Sequence, residues 1–326
     1  MSTFTLSFDH LDRLTGPHGL YEHALLDVPR TAHGYTVDDN ARAVALLARA
    51  DMTGSEHFSL YLGLVLAGRT RDGWHNRMSA RGRWVDRVGP DDTIGRVFWA
   101  LGETIRAGVS VSGIEGQMTA ISRFESIHVR ANSYALLGAV AALDAGFMVE
   151  DMTEFIARAA HFTERASTAS WPWPEPALTY ANARIPQAMI LTGHALARDD
   201  LTQRGLSLLD WLVDIETGEN GFSFTPVGGR RPGEVGPSFD QQPIEAWAMA
   251  DACAAAYRVT GASRWRQGVI DAAMWFHGRN DVGVRLFDPV TGAGFDGLHR
   301  SGVNQNRGAE STLAALAAQL RLAEVS

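Results

Sequence analysis

The sequence predicts an all-α fold, a toroid of six helical hairpins, (α/α)6, formed by residues 1–326 as a single domain. Three observations carry that expectation. Apolar residues recur at three-to-four spacing along most of the chain. Connections alternate between short and long, and the long ones are rich in Gly, Trp, Pro, Asp and Asn. Each long one leads into a helix heavy in Ala, Leu and Met, such as "ARAVALLARA", "ANSYALLGAVAAL" or "PIEAWAMADACAAA". Small residues on several sides suit an inner helix packed all round. Successive entries lie roughly 40–70 residues apart, the mark of a repeated hairpin.

In chain order the periodicity predicts helices over 38–51, 56–69, 92–107, 112–123, 128–145, 150–166, 179–197, 199–214, 242–259, 262–278 and 309–323. This is one helix short of six hairpins, so the N-terminal segment is expected to complete the ring. The long connections are 16–38, 71–92, about 124–130, 171–182, 219–242 and 281–308, and all of them should crowd one mouth. Strand-like alternation is confined to "GFSFTPV" and "VRLFDPV", which suffice only for hairpin edges within loops.

Composition narrows the chemistry. The 326 residues are 45% apolar and 20% charged, ordinary for a soluble globular protein. A net charge of -8 with no basic stripe argues against nucleic acid. All 29 basic residues are arginine, which excludes a lysine Schiff base, a pyridoxal phosphate anchor and a Walker lysine. Cys253 is the only cysteine and lies in an apolar helical run, so no internal disulfide or Cys-rich zinc site is expected. No signal peptide is visible and no apolar run is long enough to span a bilayer, so a cytoplasmic protein without membrane contact is expected. The histidines keep no clear zinc spacing, no calcium-loop spacing occurs, and GxSxG and dinucleotide glycine motifs are missing. The expectation is a site without metal or organic cofactor.

Two helices open on paired carboxylates, Asp38–Asp39 in "HGYTVDDNARA" and Asp91–Asp92 in "GPDDTIGRVFWALG". Helix capping explains one such residue at a helix start but not two. The other loop–helix junctions add Glu175 and Asn182, then Asp240, Gln241, Gln242 and Glu245, then Asp296, Asn304, Asn306 and Glu310. Aromatic residues stand beside them, and Trp–Pro steps in "WPWPEPALTYANARIPQA" extend the backbone ahead of Glu175. Carboxylates, amides and aromatic faces are what a sugar site needs, two carboxylates supplying acid and base or nucleophile. The catalytic candidates are Asp38, Asp39, Asp92, Glu175 and Asp240. The substrate-binding candidates are His33, Tyr35, Asn40 and Arg96; Trp171, Trp173, Tyr180, Asn182 and Arg184; Gln241, Gln242, Asp296 and His299; and Asn304, Asn306 and Glu310.

The strings "HGYTVDDNARA", "TIGRVFWALG", "LTYANARIPQA", "FDQQPIEAWAMADA" and "FDGLHRSGVNQNRGAESTLA" resemble bacterial proteins labelled glycosyltransferase- or glycosidase-like, with the six-hairpin glycosidase fold. The resemblance runs from about residue 30 to the C-terminus and implies a carbohydrate-active (α/α)6 protein. It also implies an aspartate where this chain has Ala181, hence one pocket carboxylate fewer. A looser likeness to bacterial endo-α-mannanases, whose catalytic pair is two neighbouring aspartates, implies such roles for Asp38–Asp39 or Asp91–Asp92. The leading expectation is a glycoside hydrolase acting on an oligosaccharide or glycoside containing mannose or glucose. Its rivals are a non-catalytic carbohydrate-binding or glycosyltransferase-accessory protein, and a sugar 2-epimerase using His33 and His299.

Overall fold

A computed structural model describes residues 6–161, 168 and 170–326. Among these residues twelve α-helices alternate between an inner and an outer ring. The inner helices are α2 (Val37–Arg49), α4 (Asp91–Arg106), α6 (Val129–Asp144), α8 (Arg184–Ala195), α10 (Pro243–Thr260) and α12 (Ala309–Val325). Each packs on the next, and α12 returns to α2, so the ring closes. Outside them lie α3 (Glu56–Ala67), α5 (Ile114–Ile121), α7 (Val149–Ala159), α9 (Asp199–Ile215) and α11 (Ser263–Trp275), each against the inner helix before it.

The sixth outer position is filled by α1 (Asp9–Leu14), which packs on α12. Periodicity does not reveal it, because six residues hold less than two turns of pattern. The helix expected over 150–166 ends at Ala159, and residues 162–166 lie outside the described ones. "GFSFTPV" contributes one strand to the hairpin of Thr217–Gly218 and Gly221–Phe222, and "VRLFDPV" one to that of Phe287–Asp288 and Ala293–Gly294.

Inner helices are buried on nearly every side because alanine and glycine let them approach. The closest pair is α4 and α6. A methyl added at Gly102 would lie 2.1 Å from the carbonyl oxygen of Gly138, and one at Gly138 would lie 2.3 Å from that of Phe98. All inner helices start at the mouth, so the other end gathers their C-termini, where cations are favoured. Asp251 there accepts hydrogen bonds from Arg49 at 2.9 Å, Arg184 at 2.5 Å and Arg321 at 2.6 Å. Arg49 also reaches Glu103 at 2.7 Å. This network walls a cavity of about 310 Å³ at the end opposite the mouth. No helix among the described residues is long and apolar enough to cross a membrane.

Candidate active site

The opening of α2 resolves the first aspartate pair. Thr36 is the N-cap; its hydroxyl accepts the Asp39 backbone N–H at 3.0 Å and donates to the Asp39 carboxylate at 2.7 Å. Thr36 and Asp39 thus hold each other at the helix end, and Asp38 takes no part in that cap. Asp38 accepts Arg96 from α4 at 2.7 Å, and Arg42 stands 3.5 Å from its other oxygen. Arg42 also donates to Asp39 at 2.7 Å and forms an ion pair with Glu310 at 2.8 Å. One guanidinium therefore joins three carboxylates from two helices.

Proton affinity splits across this pair. Burial acts to raise the Asp38 carboxyl, but the Arg42 and Arg96 guanidiniums hold it below the usual carboxylate range. Burial pushes Asp39 up to about 6, Arg42 opposing and Asp38 and Glu310 adding repulsion. Two adjacent carboxyls with separated proton affinities suit acid–base work.

The mouth holds two adjoining cavities that share Arg42, Gln242 and Glu310. The smaller, about 370 Å³, is lined by Asp38, Asp39, Asn76, Arg77, Asp296 and Asn304 among others. The larger, about 790 Å³, is lined by Asp91, Asp92, Arg96, His128, Arg130, Glu175, Tyr180, Thr225 and Glu245 among others. Together they bring in every inner helix or the loop that precedes it.

Within the larger cavity Asp92 lies 3.5 Å from Arg96 and accepts the Tyr180 hydroxyl. Tyr180 is 39% exposed, and the Arg130 guanidinium lies over its ring at 4.9 Å. Asp91 instead accepts the Ser126 hydroxyl at 2.6 Å and ties down the loop before α6. Glu175 pairs with Arg130 at 2.5 Å. Arg130 also donates to Asn182 at 3.0 Å, which fixes the turn into α8. That turn needs fixing, since Ala181 has φ +45°, a conformation unusual for a residue with a Cβ.

Of the expected site residues, the two cavities gather Asp38, Asp39, Asp92, Arg96, Glu175, Tyr180, Gln242, Asp296, Asn304 and Glu310. The others lie elsewhere, for identifiable reasons. Trp173 is 1% exposed and stacks with Trp211, while Trp171 meets the same ring edge-on and donates to the Glu175 carbonyl at 2.8 Å. Neither lines either mouth cavity; they brace the segment that carries Glu175. Arg184 is buried between Trp99 and Trp247, with its charge on Asp251. Tyr35 is buried against Tyr21, and Asn40 holds the Leu20 backbone N–H at 2.8 Å.

Gln241 is buried under the loop before α10, bonded to the Phe224 N–H and to Asp281. Asn182 is buried as a positioning group, and Asn306 accepts the Leu26 N–H at 2.9 Å. His33 is exposed and pairs with His23 at 3.1 Å. His299 sits 3.5 Å from Asp240, and neither of the two lines either mouth cavity. Ala181 is fully buried and is not among the residues lining the larger cavity.

Arg42, His128 and Arg130 line the cavities without having been singled out from sequence. Arg42 left a signal, standing three and four residues beyond the aspartates in "DDNAR". Arg130, in "HVRANS", left none. Among the described residues no group of three or more His, Cys, Asp or Glu could hold a metal ion.

No protein-family model matches the chain, and no curated relative matches it. Solved structures do. Cellobiose 2-epimerase from Bacillus thermoamylovorans B4167 superposes with a TM-score of 0.73 at 10% identity, over 98% of this chain and 96% of that one. A GH76 α-mannanase from Bacteroides thetaiotaomicron gives 0.66 at 11% identity, over 96% and 92%. An α-1,6-mannanase of Salegentibacter sp. HEL1_6 gives 0.64 at 10% identity, over 98% and 97%. That structure is an inactive variant, two consecutive aspartates changed to asparagine, in complex with α-1,6-mannotriose. These likenesses establish the six-hairpin (α/α)6 fold.

Proposed function

We propose that the chain is a carbohydrate-active enzyme and, within that class, a glycoside hydrolase acting on a neutral oligosaccharide or glycoside. The observation that carries the reading is the pair Asp38–Asp39 at the mouth, with proton affinities driven apart and with Asp38 free of any capping duty. Asp38, kept ionised by Arg42 and Arg96, is the base or nucleophile. Tyr180 offers the face on which a sugar ring stacks, and Glu175 and Glu245 line the same cavity. Further support comes from the mannanase of the same fold that is inactive once two consecutive aspartates are replaced.

Neutrality of the substrate follows from charge. Arg42, Arg96 and Arg130 are each bonded to a carboxylate, and acidic side chains outnumber arginines in both linings. An anionic sugar would find no free cation there. Epimerases also share this fold, yet the His33–His299 pair that proton abstraction would call for lines neither cavity.

The test is product release from a panel of α- and β-linked manno- and gluco-oligosaccharides, by wild type and by Asp38→Asn. Cleavage that falls by roughly 10²-fold or more in the variant supports the hydrolase. Saturable binding without cleavage would replace this reading with a binding protein, and epimerised sugar without cleavage would replace it with an isomerising enzyme.

A further inference from the structure

Five carboxyl side chains are buried among the described residues: Asp39, Glu103, Glu216, Glu245 and Asp251. Three of them bond directly to arginine. Glu216 and Glu245 do not, and a buried carboxylate without a cation is costly. Glu245 stands at the start of α10 and lines the larger cavity, 2% exposed. Its oxygens accept the backbone N–H of Ala181, the backbone N–H of Asn182 at 3.0 Å and the Asn182 side-chain amide at 3.1 Å. A carboxyl has about four lone-pair positions, so one remains.

Glu216, just beyond α9, accepts the backbone N–H and the hydroxyl of Thr225, at 3.0 and 2.6 Å. Thr225 itself lines the cavity.

We infer that Glu245, on the cavity wall, is the proton-carrying carboxyl of the cavity, and that Glu216, the second buried carboxyl without a bonded cation, is the positioning residue that biases the proton toward it. The charged groups around it agree. Arg130 from α6 is the cation that acts on Glu245, and it is already bonded to Glu175. Arg230 acts on Glu216 but donates to backbone carbonyls of Ile215 and Ser223. The start of α8 presents only N–H groups, and the other cavity arginines are taken by Asp38, Asp39, Asp92 and Glu310. Burial pushes Glu245 up to about 8; Glu216 adds to this, while the N–H groups and Arg130 oppose it. Burial raises the Glu216 carboxyl as well, with the Thr225 hydrogen bonds and Arg230 opposing.

Under the hydrolase reading, on which this role rests, Glu245 is the general acid. Its proton passes to the glycosidic oxygen as the bond to the anomeric carbon breaks and the bonding pair stays on that oxygen. Water supplies the hydroxyl that ends on the anomeric carbon and the proton that restores Glu245. Glu175 is already held by Arg130 at 2.5 Å.

The experiment is an infrared pH titration of the protonated-carboxyl band in wild type, Glu245→Gln and Glu216→Gln, paired with pH–rate profiles on a cleaved glycoside. The expected result is a band at pH 7 that Glu245→Gln abolishes, and whose loss moves to lower pH in Glu216→Gln. The alkaline limb of kcat/KM should move the same way, while Glu245→Gln lowers kcat/KM by roughly 10²–10⁴-fold. A band that survives Glu245→Gln, or a midpoint that ignores Glu216→Gln, overturns the inference. The band behaving as stated with no glycoside cleaved would sink the hydrolase and leave the proton assignment standing.

Discussion

Arg96 on α4 donates to Asp38 on α2 at 2.7 Å, and the same guanidinium stands 3.5 Å from Asp92 one turn back along its own helix. A single side chain thus links the two aspartate-bearing helix starts and holds a carboxylate of each toward one mouth. Capping alone would not require this link, since Thr36 and Asp39 already close α2 between them.

Asp38→Asn should therefore lower kcat by roughly 10²-fold or more. Its cost in stability should stay below the ~3–5 kcal/mol of breaking a fully buried pair, because Arg96 keeps Asp92, and Arg42 keeps Asp39 and Glu310. Steady-state kinetics beside urea denaturation would check both halves. An activity loss matched by unfolding would count against a chemical role.

Tyr180 and Trp173 should separate cleanly, although sequence gave them the same expected role. Tyr180→Ala removes an exposed platform and should raise KM about tenfold, equivalent to about 1.4 kcal/mol, with little change in unfolding midpoint. Trp173→Ala opens a hole beside Trp211 and should cost about 3–5 kcal/mol of stability. Where the Trp173 variant stays folded, its KM should remain near that of wild type.

At the closed end, Asp251→Asn should destabilise by ~3–5 kcal/mol, because Arg184 is left buried without its counter-charge. Burial acts to raise Asp251, but Arg49, Arg321 and Arg184 hold it well below the usual range. The sign follows. A depressed carboxyl contributes stability that is present above its unfolded value, about 3.9, and is lost as pH falls toward the folded one. Wild type should lose stability steeply below about pH 4, and the variant should show a shallower fall. Urea midpoints at pH 7 and pH 3 would decide it.

Gly138→Ala tests the tight contact between α4 and α6. The added methyl would meet the Phe98 carbonyl oxygen at 2.3 Å, and backbone cannot swing aside as a side chain can. Separating the helices should cost about 1–3 kcal/mol, as overpacking generally does. An unchanged thermal midpoint would argue against that close approach.

Hairpin repetition, the alternation of short and long connections and the alanine-rich inner helices were legible because they are local, periodic consequences of how helices pack. So was the crowding of carboxylates at helix starts, since "DDNARA" and "PDDTIGR" announce themselves in one dimension. Which of those residues face a cavity was not legible. Arg96 and Arg184 look alike as polar residues near helix starts, yet one sits at the mouth and the other beneath the tryptophans. That choice depends on helix rotation within the closed ring.

By itself, then, the sequence determined a ring of helical hairpins and a polar, lysine-free mouth, because spacing and composition act along the chain. Only the tertiary structure decided that Thr36 frees Asp38 from capping, that Trp173 packs inward, and that Glu216 and Glu245 are buried with no arginine among the described residues bonded to them. Each of these depends on which partners arrive from distant elements, and desolvation and pairing are settled by those arrivals rather than by neighbours in sequence.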